Sequence, residues 1–140
     1  MTIRIKGLDH IVLRTENAAA MVRFYCEVLG CVEERRRVDL GLIQLRAGDS
    51  LIDLVTLDGP LGKAGGAAPG PNGRNLDHFC LQLEAFDAEA IATQLFAHGL
   101  ETDESVLRYG AGGYGPSIYV RDPDGNTVEL KGPPENDERP

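Results

Sequence analysis

No apolar run in the chain approaches the roughly 20 residues that a membrane-spanning helix needs, so no membrane partner is expected. The opening stretch, MTIRIKGLDHIVLRT, passes straight into a strand-like pattern and lacks the apolar core of a secretion signal; a cytoplasmic location is expected. Clustered positive charge is also missing. Fourteen Lys and Arg stand against 22 Asp and Glu, a formal net charge of −8. The only dense basic run, Arg35-Arg36-Arg37, directly follows Glu33-Glu34 and resembles a charged strand edge, so no nucleic-acid partner is expected. The three cysteines, Cys26, Cys31 and Cys80, form no C-x-x-C pair and leave one unmatched. That excludes a disulfide framework and points to free, mostly buried thiols. A G-x-x-x-x-G-K-[ST] phosphate loop is absent as well.

What is present is a repeat. Leu8-Asp9-His10-Ile11-Val12-Leu13 reads as a strand, and Leu76-Asp77-His78-Phe79-Cys80-Leu81 repeats its opening 68 residues later. A helix follows each strand. Met21, Phe24, Tyr25, Val28 and Leu29 form the first apolar stripe, and Ala88, Ile91, Ala92 and Leu95 form the second. Thr15 to Asn17 and Asp87 offer N-caps, while Gly30 and Gly99 sit where left-handed residues end helices. Three strand-like stretches complete each copy, near 31–38, 40–46 and 50–57, then near 100–107, 115–121 and 126–132. Asp122-Pro123-Asp124-Gly125-Asn126 is a strong turn between the last two.

The expected fold is therefore α+β, two tandem βαβββ units forming a concave mixed sheet. The units span residues 7–57 and 76–131 of a single domain, with a Gly-, Ala- and Pro-rich linker at 58–75 and a frayed tail at 132–140. The linker reads as flexible chain or as a lid over a pocket.

Strand alternation assigns faces. In the first strand Ile11 and Leu13 point under the helix, and His10 points away with Leu8 and Val12. In the second copy, His78 shares the opposite side with Cys80 and Gln82. The fourth strands also correspond, since Asp53 and Glu129 each stand between apolar neighbours. Burying such a carboxylate costs several kcal/mol unless it is paired or bound to a cation. Two histidines and two carboxylates in corresponding places have a metal ion as their simplest common cause. His98, in the last helical turn before Gly99, reads instead as a helix-end residue. Cys80 reads as a small buried filler that faces the same way as His78.

The chain resembles the vicinal oxygen chelate superfamily, which includes glyoxalase I, extradiol dioxygenases, fosfomycin-resistance enzymes and bleomycin-binding proteins. The resemblance covers about residues 7–131. It is carried by Leu8-Asp9-His10, Phe24-Tyr25-x-x-x-Leu29-Gly30, Leu76-Asp77-His78 and Tyr119-x-x-Asp122-Pro123-Asp124-Gly125-Asn126-x-x-Glu129. It implies the glyoxalase/bleomycin-resistance/dioxygenase fold and one divalent metal held by His10, His78 and Glu129. Zn or Ni is favoured, and Mn or Fe(II) also suits the ligands. Asp53 stands where glyoxalase I usually has a Glu that serves as ligand and proton carrier. Being one methylene shorter, it is left open between ligand and base. Tyr119, ten residues before Glu129, matches a substrate-binding tyrosine of several family members; an aromatic filling a strand position is the structural alternative.

The resemblance leaves four functions. A glyoxalase-I-like lyase or isomerase, with Asp53 and Tyr119 as catalytic residues, acts on a small oxygen-chelating substrate and comes first. An extradiol-type dioxygenase has the right triad but lacks further pocket histidines. A fosfomycin-type thiol transferase needs cations such as Arg108, Arg121 and Lys131. A bleomycin-type binding protein is the non-enzyme alternative, against which the retained ligand set weighs. The expected partners are a small-molecule substrate and a second copy in a homodimer.

Overall fold

The structure, a computed structural model, describes residues 1–135. The chain divides into two compact units, Met1–Asn75 and a second that begins at Leu76. Each contains a four-stranded mixed sheet, and the class is α+β, as expected. Among the described residues no helix is long and apolar enough to cross a membrane.

In the first unit β1 (His10–Thr15) leads into α1 (Ala18–Arg23), followed by β2 (Val32–Arg37), β3 (Leu42–Ala47) and β4 (Ser50–Thr56). The sheet order is β1-β4-β3-β2, with β1 parallel to β4 and the remaining pairs antiparallel. The helix-period stripe seats Met21, Phe24, Tyr25 and Val28 in the core with Leu13, Leu45, Ile52 and Leu54. Burying each large apolar side chain contributes about 1.5–3 kcal/mol.

α1 does not continue as a regular helix. Phe24–Val28 winds one π-helical turn, in which the Leu29 N–H donates to Phe24 O at 3.1 Å. The wider turn carries Tyr25, fully buried, with its ring edge-on to Phe24 at 4.9 Å. Gly30 then ends the turn at φ 81°, as its position predicts. The expected side-chain N-cap is absent at Asn17; Thr15 Oγ1 instead accepts from the Asn17 N–H at 2.8 Å.

The second unit contains β5 (Phe79–Gln82), a ten-residue helix at Ala88–Ala97, β6 (Val106–Gly110), β7 (Gly113–Arg121) and β8 (Thr127–Lys131). Its order, β5-β8-β7-β6, repeats the first with the same parallel central pair. Asp87 caps the helix by accepting from the Ala90 N–H at 3.0 Å. Gly99 closes it with paired bonds, Gly99 N–H to Phe96 O and Leu100 N–H to Leu95 O. Leu95 is buried and Ile91 and Ala92 are half-buried, whereas Ala88 is exposed, unlike the expected stripe.

One expected strand is corrected, and two further segments gain detail. β6 begins at Val106 because a tight hairpin pairs Gly110 with Gly113 and sets its register; residues 100–105 have no ladder partner. The segment 58–75 is not featureless chain. It holds the one-turn helix α2 (Pro60–Lys63) and a Gly70–Gly73 bridge. The Arg14 guanidinium donates to its carbonyls at Gly62, Gly66 and Ala67. Residues 132–135 are tied to β7, Gly132 N–H to Pro116 O and Glu135 N–H to Tyr114 O. The rest of the expected frayed tail, 136–140, lies outside the described residues.

Candidate metal centre and its two half-sets

The first unit places His10 at the start of β1, with its Nδ1 2.6 Å from Asp9 Oδ1. A carboxylate at that distance keeps the imidazole proton on Nδ1 and leaves the Nε2 lone pair available. The Asp9 hydrogen bond, followed by the charge of Asp53, raises the His10 pKa above its ordinary value. In the parallel ladder Val12 stands opposite Asp53. Asp53 is only 5% exposed, so its charge needs compensation. Gln44 lies opposite it on β3, and its Nε2 stands 3.2 Å from both carboxylate oxygens.

The second unit repeats this plan. His78 lies one residue ahead of β5 rather than within it, and Asp77 Oδ2 stands 2.5 Å from its Nδ1. Cys80 stands opposite Glu129 in the parallel ladder, and Tyr119 stands opposite it in the antiparallel one. Glu129 is 6% exposed. Its Oε2 accepts from the Cys80 thiol at 3.1 Å, and its Oε1 is 3.9 Å from His78 Nε2. Cys80 is exposed rather than the buried filler expected, because it lies on the same open side as His78. Partial desolvation of its thiol, then the bond to Glu129, still pushes it up to about 12, so it stays protonated and donates.

Tyr119 joins this group. Its ring meets that of His78 edge-on at 5.7 Å, and the Arg108 guanidinium lies 4.3 Å from its centroid. Burial, then the charge of Glu129, raises the Tyr119 pKa, against the opposing Arg108 charge. A cavity of about 600 Å³ opens beside it, lined in part by Leu100, Asp103, Arg121 and Thr127. That is room for a small organic molecule.

The four expected residues thus fall into corresponding half-sets. His10 with Asp53 belongs to the first unit, and His78 with Glu129 to the second. Among the described residues, no group of three or more His, Cys, Asp and Glu side chains is clustered so as to hold an ion. The donor chemistry nevertheless fits a divalent cation. Both imidazoles have Nδ1 engaged by a carboxylate, and among the described residues neither buried fourth-strand carboxylate accepts a hydrogen bond from a cationic side chain. His98 is the C-cap residue of the 88–97 helix and belongs to neither set.

Sequence reasoning missed Gln44 and the service of Asp9 and Asp77. Both were detectable. The hairpin at Gly48-Asp49 pairs Ala47 with Ser50, and counting outward from it brings Gln44 opposite Asp53. Asp-His stands at the head of both repeats.

Residues 7–130 match the profile of the Glyoxalase/Bleomycin resistance protein/Dioxygenase superfamily, and the chain belongs to that superfamily. It is 28% identical over 132 residues to the virulence protein STM3117 of Salmonella typhimurium, covering 90% of this chain and 83% of that protein. A solved protein from the mobile metagenome of V. Pseudocholerae superposes with a TM-score of 0.74 at 28% identity, over 94% of this chain and 98% of the other. Lactoylglutathione lyase from Agrobacterium tumefaciens shares the fold, with a TM-score of 0.66 at 20% identity over 91% and 94% of the two chains.

Proposed function

We propose that this protein is a metal-dependent enzyme with glyoxalase-I-like lyase or isomerase chemistry, using His10, His78 and Glu129 as ligands to one divalent ion. The observation that carries this reading is the doubled half-set: an Asp-oriented histidine and a buried fourth-strand carboxylate, built the same way in both units. One such pair has many explanations. Two in matching register favour a shared ligand.

Such an ion, when bound, supplies Lewis-acid stabilisation to two neighbouring substrate oxygens as negative charge develops on them. Asp9 and Asp77 hold the imidazoles in the tautomer that presents Nε2. Asp53 takes a proton from one substrate carbon and returns it to the adjacent carbon, ending in its starting state. Tyr119 donates its hydroxyl proton in a hydrogen bond to a substrate oxygen, and the cavity beside it receives the rest of the molecule. Zn or Ni best suits two imidazoles and a carboxylate, with Mn and Fe(II) as further candidates. The reading takes the protein as a cytoplasmic homodimer.

Conversion of a methylglyoxal–thiol adduct tests it. Activity should need a divalent metal, and Asp53→Asn should lower turnover about 10²- to 10⁴-fold, the usual contribution of a positioned acid–base. A protein that retains no divalent metal, or turnover indifferent to Asp53→Asn, would count against it.

A second reading is thiol addition to a phosphonate-bearing substrate. It is supported by Arg108, which stacks on Tyr119 and donates to Ser117 Oγ at 2.6 Å. Activity towards a phosphonate epoxide with added thiol, lost in Arg108→Gln, would put it first.

A further inference from the structure

The two buried carboxylates are gripped differently, and the difference assigns them different work. This inference rests on the metal-ligand reading proposed above. Cys80 bonds only one oxygen of Glu129, the other faces His78 Nε2 at 3.9 Å, and the Tyr119 hydroxyl also bears on this carboxylate; none of the three sits between its oxygens. Gln44 treats Asp53 otherwise. A single amide nitrogen stands 3.2 Å from both oxygens, so it sits in the notch between them. That notch is where a chelating cation would sit on the same carboxylate. The amide oxygen cannot take that place without opposing two anionic oxygens, so the donor assignment follows from the geometry.

Reach points the same way. Asp53 is one methylene shorter than Glu129, and it sits in the corresponding register of its own sheet: Val12 opposite Asp53, Cys80 opposite Glu129. A shorter side chain with its notch filled by a neutral donor is poorly placed to enter a coordination sphere. The oxygens still have lone pairs flanking the notch, which can accept a proton or a water hydrogen bond. The donor also adds no charge: a Lys or Arg at residue 44 would form an ion pair with Asp53, whereas an amide only orients it.

We infer that Gln44 is a positioning residue that clamps Asp53 outside the metal's coordination sphere and holds it as the proton carrier, leaving Glu129 as the ligating carboxylate. The side chain that separates these roles is on β3, a strand to which the sequence assigned no site residue. Gln44 acts wholly through Asp53 and touches no reacting atom.

Cobalt(II) as the added metal tests this without any substrate. Metal-free protein is titrated with Co(II), and the visible absorption of the bound ion reports its ligands. Asp53→Asn should keep the band and bind Co(II) within about threefold of the parent, while Glu129→Gln should weaken it about 100-fold or more. In Gln44→Met, Co(II) affinity should again be held, but the ¹³C resonance of the Asp53 carboxyl should move, because its oxygens lose their amide donor. Gln44→Asn, which withdraws the amide by one methylene, should move it too and serves if Gln44→Met does not fold. The inference is overturned if Asp53→Asn changes the Co(II) band or weakens binding as much as Glu129→Gln does. It is equally overturned if the Asp53 resonance ignores loss of the Gln44 amide. Parent protein that binds no Co(II) sinks the metal reading itself. A defect confined to Asp53→Asn leaves that reading standing and sinks only the clamp.

Discussion

His78 and Glu129 approach to 3.9 Å, Nε2 to Oε1, although they lie 51 positions apart and neither belongs to the other's strand. Parallel pairing of β5 with β8 makes that approach, and Asp77 turns the imidazole so that Nε2 faces the carboxylate.

That orientation is testable apart from the ligands themselves. Asp77→Asn and Asp9→Asn remove the anionic acceptor at Nδ1 and keep its volume. Each should lower divalent-metal affinity about 10- to 100-fold, the usual effect of losing an outer partner of a ligating histidine, with little change in melting temperature. Isothermal titration with Zn or Ni measures the first effect and thermal unfolding the second.

Arg14 anchors the segment that connects the repeats. Its guanidinium donates to Gly62 O at 3.1 Å, Gly66 O at 2.6 Å and Ala67 O at 3.0 Å, and the approach leaves no room for a Cβ at Gly65. Arg14→Ala should therefore speed amide exchange across residues 62–67 by about tenfold or more, because local opening no longer breaks three bonds. Arg14→Lys should not restore protection, since an ammonium lacks the planar fork that spans three carbonyls. Hydrogen exchange read by mass spectrometry distinguishes these outcomes.

The turn between β7 and β8 depends on Asp122. Its carboxylate is buried and accepts from the Asp124 N–H at 3.0 Å, the Asn126 N–H at 2.9 Å and Asn126 Nδ2 at 2.8 Å. Asp122→Ala leaves those donors without their acceptor and should cost about 2–3 kcal/mol in urea unfolding. A loss below about 0.5 kcal/mol would mean that water replaces the carboxylate freely.

Burial raises the Cys31 pKa from 9.0 to about 11. A group whose folded pKa exceeds its unfolded value stabilises the fold fully below the unfolded value and loses that contribution as pH rises through the folded one. Unfolding free energy should accordingly decline between pH 9 and about 11. Cys31→Ala should flatten that decline while lowering stability at neutral pH through the cavity it leaves. Denaturant midpoints taken across this range provide the check.

Much of the molecule is legible in its sequence. The Leu-Asp-His openings, the two helical stripes and the four-strand rhythm all rest on side-chain periodicity, which is local and survives in a bare sequence. So does the corresponding facing of Asp53 and Glu129, because strand alternation puts each on the face opposite its apolar neighbours; their burial is decided by the fold. Asp87 and Gly99 announced a helix start and end that the structure keeps, since capping is chemistry between near neighbours.

Tertiary structure alone decided what those residues touch. Gln44 became the partner of Asp53 only through the register of β3 on β4, and Cys80 the partner of Glu129 only through a parallel ladder across 49 positions. The segment 58–75 looked like loose linker because its composition has no period; Arg14, remote in sequence, holds its carbonyls. β6 moved to Val106–Gly110 for the same reason, since pairing to β7 outweighs the weak local preference of residues 100–105. Periodicity determines which face a side chain takes, while hydrogen-bond register across strands determines its neighbour. The sequence of this protein therefore declares its repeated half-sets and candidate ligands, and only the folded sheets reveal that one carboxylate is clamped by an amide and the other directed at a histidine.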